Sequence, residues 1–214
     1  MKTLPRDIFF DLGNVIIPID FSRNWDYFLT LGADRGQLEE HWSLESFHPM
    51  FEEYESGRIT TDILRIKFQE IFLQRREISL SQFEEGLAAL LLPIPPRRIA
   101  FVDTLRKQGF RCHVISNNTE LHTRLIRQNF KENFGRAIED CFDNVFLSQE
   151  VNCRKPEIQI YELALAKVGA TASHSLMIDD LPINLAGAVK AGMQTLLVTH
   201  DDEVEERIKE HYTW

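Results

Sequence analysis

Apolar residues run without a break from Ile8 to Phe10, stop at the acid Asp11, and resume in the stretch "VII" after Gly13 and Asn14. Such a run predicts a buried strand over roughly residues 7–12, with a carboxylate at its mouth. From about residue 20 to 92 the spacing becomes helical. In "TTDILRIKFQEIFLQRRE" Leu64, Phe68, Ile71 and Phe72 fall on one face, and "SLSQFEEGLAALLL" reads as a further helix with Ser79 or Ser81 as N-cap. "PIPPRR" (93–98) then punctuates the chain before a helix that returns it toward the sheet.

Beyond that point strands and helices alternate. "FRCHVIS" (110–116) predicts a strand, followed by a helix from about Thr119, and "NVFLS" (144–148) a short strand. A helix is expected from Pro156, with Tyr161, Leu165 and Val168 on one face, because proline suits the first helical position. "SLMID" (175–179) predicts a strand, "NLAGAVKAG" a helix and "QTLLVT" (194–199) a strand, and the acidic "DDEVEERIKEH" reads as a solvated surface helix. Alternation of this kind specifies an α/β fold, a doubly wound, Rossmann-like parallel sheet with helices on both faces. The long helical excursion after the first strand is an insertion rather than a connector. The expected organisation is an α/β core of residues 1–17 and 93–214 with an all-helical cap at 18–92.

Composition narrows the possibilities. The 214 residues, 43 % hydrophobic and 27 % charged, suit an ordinary globular core with a smaller accessory domain. No apolar run is long enough to span a bilayer, and the N-terminal residues lack a signal-peptide pattern, so the expected location is cytoplasmic, with no membrane partner. A net charge of −9 weighs against nucleic acid as a ligand, although a local cluster with a metal can still hold a small anion. Cys112, Cys141 and Cys153 have no metal-type spacing and are expected to be reduced, mostly buried thiols.

Ligands of an open parallel sheet bind at the carboxyl ends of its strands. Those ends deliver Asp11, the "SNN" of Ser116, Asn117 and Asn118, the "RK" of Arg154 and Lys155, and the pair Asp179 and Asp180. Each alone is an ordinary turn residue, cap or surface lysine. Together, three carboxylates on one rim call for a hard cation, and magnesium is the natural one. Lys155, a hydroxyl and helix N-terminal amides would serve a phosphate, which Asp11 could attack as a carboxylate nucleophile. Receiver domains use similar groups, but there the acidic pair precedes the phosphorylated aspartate; the order here is the reverse.

The ordered motifs "FFDLGNVII", "HVISNN", "RKP" and "MIDDLPINLAGAVKAGM" resemble those of the haloacid dehalogenase superfamily over essentially the whole chain. The resemblance implies Asp11 as nucleophile and Mg²⁺ ligand, the Gly13 carbonyl and Asp180 as further ligands, and Asp179 and Asn184 behind them. It implies Ser116, Asn117 and Lys155 as phosphate-binding groups, with Lys155 also catalytic. It departs at Gly13, where most phosphatases of the superfamily carry a second aspartate that protonates the leaving alcohol and then activates water. "FDLGNV" resembles a subgroup that includes bacterial α-glucose-1-phosphate phosphatases, whose anomeric leaving group needs less protonation. The function implied is a Mg²⁺-dependent phosphomonoester hydrolase acting on a small phosphorylated metabolite, a sugar phosphate first among them. His48 is a candidate substitute acid. The alternatives are a phosphate-binding protein with little turnover, or a haloacid-type dehalogenase, against which the acidic pair weighs.

Overall fold

A computed structural model describes residues 4–42, 48–199 and 204–211. The chain opens with β1 (Asp7–Phe10) and leaves the sheet through the helices α1 (Phe21–Thr30), α2 (Arg35–His41), α3 (Pro49–Glu55), α4 (Thr61–Phe72) and α5 (Leu80–Ala88). It returns by α6 (Pro96–Lys107) to β2 (Arg111–Ser116), α7 (Glu120–Phe134), α8 (Ile138–Cys141), β3 (Asn144–Leu147), α9 (Ser148–Val151) and α10 (Ile158–Val168). β4 (Ser175–Asp179), α11 (Pro182–Lys190), β5 (Gln194–Leu197) and α12 (Val204–His211) complete it. The five strands form one parallel sheet, as the alternating pattern predicts, and their order is β3-β2-β1-β4-β5. Among the described residues no helix is long and apolar enough to cross a membrane.

Register places the chemistry. Phe10 pairs with Val114 on one side and with Ile178 on the other. The next residues, Asp11 and Asp179, therefore leave adjacent strands side by side, and the Asp11 N–H still donates to the Ile178 carbonyl at 2.9 Å. β1 is buried throughout because the sheet is covered on both faces. Ile8, Phe10, Val114 and Ile178 pack with α6, α7 and α12 on one face, while Phe9, Ile115 and Met177 pack with α10 and α11 on the other.

The inserted helices have a core of their own around Phe28, Phe68 and Phe83, with Phe28 and Phe68 ring centroids 4.5 Å apart. Leu64, Phe68 and Phe72 supply the buried face of α4, and Ser79 caps α5 in a full capping box with Gln82. The two chain segments joining this layer to the sheet run antiparallel, linked by the Ile19–Leu91 bridge, Asp20 N–H to Leu90 O and Leu92 N–H to Pro18 O.

Two expectations need correction. Pro156 does not open α10; it lies in a turn closed by Glu157 N–H on the Arg154 carbonyl, and the helix starts at Ile158. The reason is packing: the Pro156 carbonyl lies against α11, where a Cβ on Gly187 would come within 2.5 Å of it. The acidic tail is not merely a solvated helix, since Val204 and Ile208, one turn apart, are buried in the main core; residues 201–203 lie outside the described ones. Charge dominated the composition there and masked a two-residue apolar stripe. Cys112 and Cys141 are buried free thiols, whereas Cys153 is only half-buried.

Close approach at Gly187 sets the Pro156 carbonyl directly against α11. Gly187→Ala would set a methyl against the Pro156 carbonyl and, at 2.9 Å, the Tyr161 ring. Overpacking of this kind costs about 1–3 kcal/mol, so the urea midpoint should fall correspondingly; an unchanged midpoint would contradict the packing argument.

Candidate active site

Lys155 lies at the centre of the strand ends. Its side chain is 0 % exposed, and its ammonium is 2.9 Å from Asp11 Oδ1 and 2.6 Å from Asp179 Oδ2. A buried cation is tolerated only when paired, and two carboxylates do that here. Burial alone would lower the Lys155 pKa, but Asp11 and Asp179 outweigh it and hold the ammonium above its usual range. The backbone of Lys155 is clamped as well: Asn117 Oδ1 accepts its N–H at 2.8 Å, and Asn117 Nδ2 donates to its carbonyl at 2.9 Å. The Asn117 side chain thus positions Lys155.

Asp11 Oδ1 also accepts the Leu12 N–H at 2.7 Å. Burial pushes the Asp11 pKa up to about 7; Lys155 opposes the rise, and Asp179 and Asp180 add to it. Asp179, completely buried, takes the Leu181 N–H at 2.9 Å and the Asn184 amide at 3.0 Å in addition to Lys155. Asp180 is more open. Burial raises its pKa, opposed by a 2.8 Å hydrogen bond donated by Asn14 Nδ2. One oxygen from each of Asp11, Asp179 and Asp180 lies within 4.8 Å of the others. Three carboxylates facing one ammonium form a hard, oxygen-only donor set with surplus negative charge, and this set fits Mg²⁺. Gly13 follows directly, its carbonyl accepting the Val15 N–H at 2.7 Å with a second lone pair remaining.

Asn14 is a residue whose role sequence reasoning missed. It adopts a left-handed backbone (φ 54°), its N–H donates to the Ile17 carbonyl, and its side chain bridges Asp180 to the Ile19 N–H. An asparagine directly after glycine at a strand mouth was the available signal, since asparagine tolerates this conformation.

On the opposite wall, Ser116 ends β2, and α7 begins just beyond it behind the Thr119 N-cap. The inserted helices close over this rim through a second set of contacts that sequence reasoning also missed. Arg154, the neighbour of Lys155, grips Glu55 at 2.9 Å and Glu52 at 3.1 Å. The Ser148 hydroxyl donates to the Glu55 carbonyl at 2.5 Å and accepts the Asn118 N–H at 2.9 Å. Gly57, in the left-handed region at φ 69°, passes so near α9 that a Cβ would lie 2.6 Å from the Gln149 carbonyl. His122 ties the layers together too, with Nε2 on the Leu87 carbonyl and Nδ1 on the Thr119 hydroxyl.

Between the layers lies a chamber of about 120 Å³. Gly13, Ser116, Asn117 and Glu55 meet it, and most of the remaining wall is aliphatic or aromatic. A Cβ built on Gly13 finds only Ile19 Cδ1, at an ordinary 3.4 Å. His48 is not part of this wall: its Nδ1 accepts the Met50 N–H as the N-cap of α3, and its ring faces His41.

Comparison with known proteins agrees with the fold. A D-ribitol-5-phosphate phosphatase from Bacteroides thetaiotaomicron is 22 % identical over 192 residues, covering 89 % of this chain and 90 % of its own. A glyceraldehyde 3-phosphate phosphatase from Methanothermobacter thermautotrophicus is 34 % identical over 126 residues, which are 58 % of this chain and 51 % of that one. Among solved structures, a wild-type HAD family enzyme from Bacteroides thetaiotaomicron, in complex with magnesium and inorganic phosphate, superposes with a TM-score of 0.81. It is 25 % identical, with 93 % of this chain and 96 % of that chain covered. A family model for haloacid dehalogenase-like hydrolases matches residues 7–192, and the chain belongs to that family.

Proposed function

We propose that the protein is a Mg²⁺-dependent phosphomonoester hydrolase acting on a small phosphorylated metabolite, with Asp11 as nucleophile. The observation that carries this reading is Lys155, fully buried and bridging Asp11 and Asp179 beside the more open Asp180. The phosphatase names of two relatives support it. Asp11, Asp180 and the Gly13 carbonyl would hold Mg²⁺, with Asp179 and Asn184 fixing them from behind. Magnesium, when bound, supplies positive charge that offsets the converging carboxylates and the phosphoryl oxygens.

Oδ1 of Asp11 is engaged by Leu12 N–H and Lys155, so attack on phosphorus falls to Oδ2. The new Asp11–phosphorus bond forms as the ester P–O bond breaks and the alcohol oxygen leaves with the bonding pair. Water then attacks the aspartyl phosphate at phosphorus, releasing inorganic phosphate and returning the carboxylate. Ser116, the Asn117 amide and Lys155 would hold the phosphoryl oxygens through both steps. The leaving oxygen and the attacking water have no aspartate at position 13 to exchange protons with, so esters with weakly basic leaving groups should turn over best. A sugar or polyol phosphate, the class in the two relatives' names, is one candidate substrate; the chamber wall weighs on that choice below. The loss of the acid at position 13 also keeps a second reading in view, a phosphate-binding protein with little turnover. The three-carboxylate cluster weighs against a dehalogenase.

With p-nitrophenyl phosphate, whose leaving group needs no proton, turnover should require Mg²⁺, disappear with EDTA, and fall on the order of a thousandfold or more in Asp11→Asn. Absence of metal-dependent turnover would favour the binding reading instead. Gly13→Asp, which the open space at the Cβ position admits, should raise turnover of alkyl phosphates at least about tenfold while changing p-nitrophenyl phosphate little. Equal effects on both esters would show that no acid is missing. Asn14→Ala should raise the Mg²⁺ concentration for half-maximal activity about tenfold or more, because Asp180 loses its orienting amide. An unchanged magnesium titration would remove Asn14 from that role.

A further inference from the structure

We infer that the chamber between the helical layer and the strand ends selects phosphate esters of a compact apolar alcohol, aryl-methyl or branched alkyl, over those of sugars and polyols. The inference rests on the hydrolase reading for the position of the phosphoryl group, and adds to it the identity of the rest of the substrate.

The chamber starts where the phosphoryl site ends. Gly13, Ser116 and Asn117 line it, so the alcohol group of an ester held at Asp11 would reach this space past the Gly13 backbone. Beyond them the wall is built from Ile17 and Ile19 of the segment after β1, Phe21, Trp42 and Phe51 of the inserted helices, and Leu91 of the return segment. Glycine at position 13 contributes here as well, since it takes an ionisable side chain out of the entrance.

Three of the polar side chains that reach the wall, those of Tyr54, His122 and Glu55, have partners within the protein. The Tyr54 hydroxyl bonds Thr61 Oγ1 at 2.7 Å and also accepts the Leu121 N–H. Both ring nitrogens of His122 are occupied, Nε2 by a carbonyl oxygen and Nδ1 by the Thr119 hydroxyl, which itself accepts the His122 N–H. Glu55 Oε2 accepts from two nitrogens of the Arg154 guanidinium, which anchors that carboxylate at the edge of the wall. A polyol chain lying against Ile17, Ile19 and Phe51 would surrender hydrogen bonds to water, at about a tenfold loss of affinity for each hydroxyl left unpaired. An apolar group would instead gain from leaving water.

Size limits the group further. A cavity of about 150 Å³ holds one benzene molecule, and the space here is about 120 Å³, room for roughly five to seven carbons including those nearest the ester oxygen.

The test compares primary-alcohol esters, so that the leaving oxygens are similarly basic. The full-length protein with Mg²⁺ is assayed on benzyl phosphate, 3-methylbutyl phosphate, ribitol 5-phosphate and glyceraldehyde 3-phosphate, with p-nitrophenyl phosphate as the reference. The apolar esters should exceed the polyol and sugar esters at least about tenfold in kcat/KM, and the order of the first two separates aromatic from branched-alkyl preference. Phe21→Ser, altering a half-buried wall residue, should shrink that ratio chiefly through KM for the apolar esters. Equal or higher kcat/KM for the polyol and sugar esters would overturn the inference while the hydrolase reading stands. Turnover of none of the five esters would count against the hydrolase reading. In that case, binding of benzylphosphonate against methylphosphonate decides the chamber alone: about tenfold tighter benzylphosphonate upholds it, and equal binding overturns it.

Discussion

The arrangement of the site depends on one buried ammonium. Lys155 is removed from water and must keep both Asp11 and Asp179 within hydrogen-bond distance, because an isolated charge in that position would cost several kcal/mol. The constraint works in both directions. Two carboxylates side by side at the ends of β1 and β4 repel each other, and the Lys155 ammonium between them offsets that repulsion. Much of the surrounding structure serves to keep it there. Asn117 clamps its backbone from the end of β2, and the bare Gly187 lets α11 press against the following Pro156 carbonyl.

One ammonium does not balance three carboxylates, and the remainder shapes the chemistry. Burial and the neighbouring Asp179 and Asp180 push the Asp11 pKa up to about 7, and a divalent cation held among these oxygens would offset that crowding of charge. Asp180, oriented by Asn14 and more open than Asp179, faces the same space. The charge logic thus separates two tasks along one strand end: Asp179 is saturated with internal partners and fixes Lys155, while Asp180 keeps capacity for a ligand.

The helical layer is joined to this rim beside its central residue. Arg154 precedes Lys155 in sequence and grips Glu52 and Glu55 of α3, so the contact that seats the layer and the cation that organises the carboxylates belong to one short segment. Together with Ser148 on the Glu55 carbonyl and the close passage of Gly57 over α9, it encloses a chamber whose floor is Gly13. The bare Gly13 leaves that floor without an ionisable side chain.

The sequence alone determined the sheet and its mouth. Period-two and continuous apolar runs place β1, β2 and β4 to within a residue or two, and parallel crossovers oblige their carboxyl ends to share a rim, so Asp11, Ser116, Lys155 and Asp179–Asp180 could be gathered before any coordinates. Local signals likewise offered Ser79 or Ser81 as the cap of α5, which is Ser79, and started a helix near Thr119, which caps α7. Only the tertiary structure decided which polar group takes which partner. Asn117 turned to the Lys155 backbone, Asn14 to Asp180, Glu55 to Arg154 and His48 to its own helix terminus. Those choices depend on distances between segments far apart in the chain, as do the burial of Val204 and Ile208 and the character of the chamber wall. Apolar periodicity is a local property of the chain; hydrogen-bond pairing and the shape of an enclosed space are properties of the folded whole.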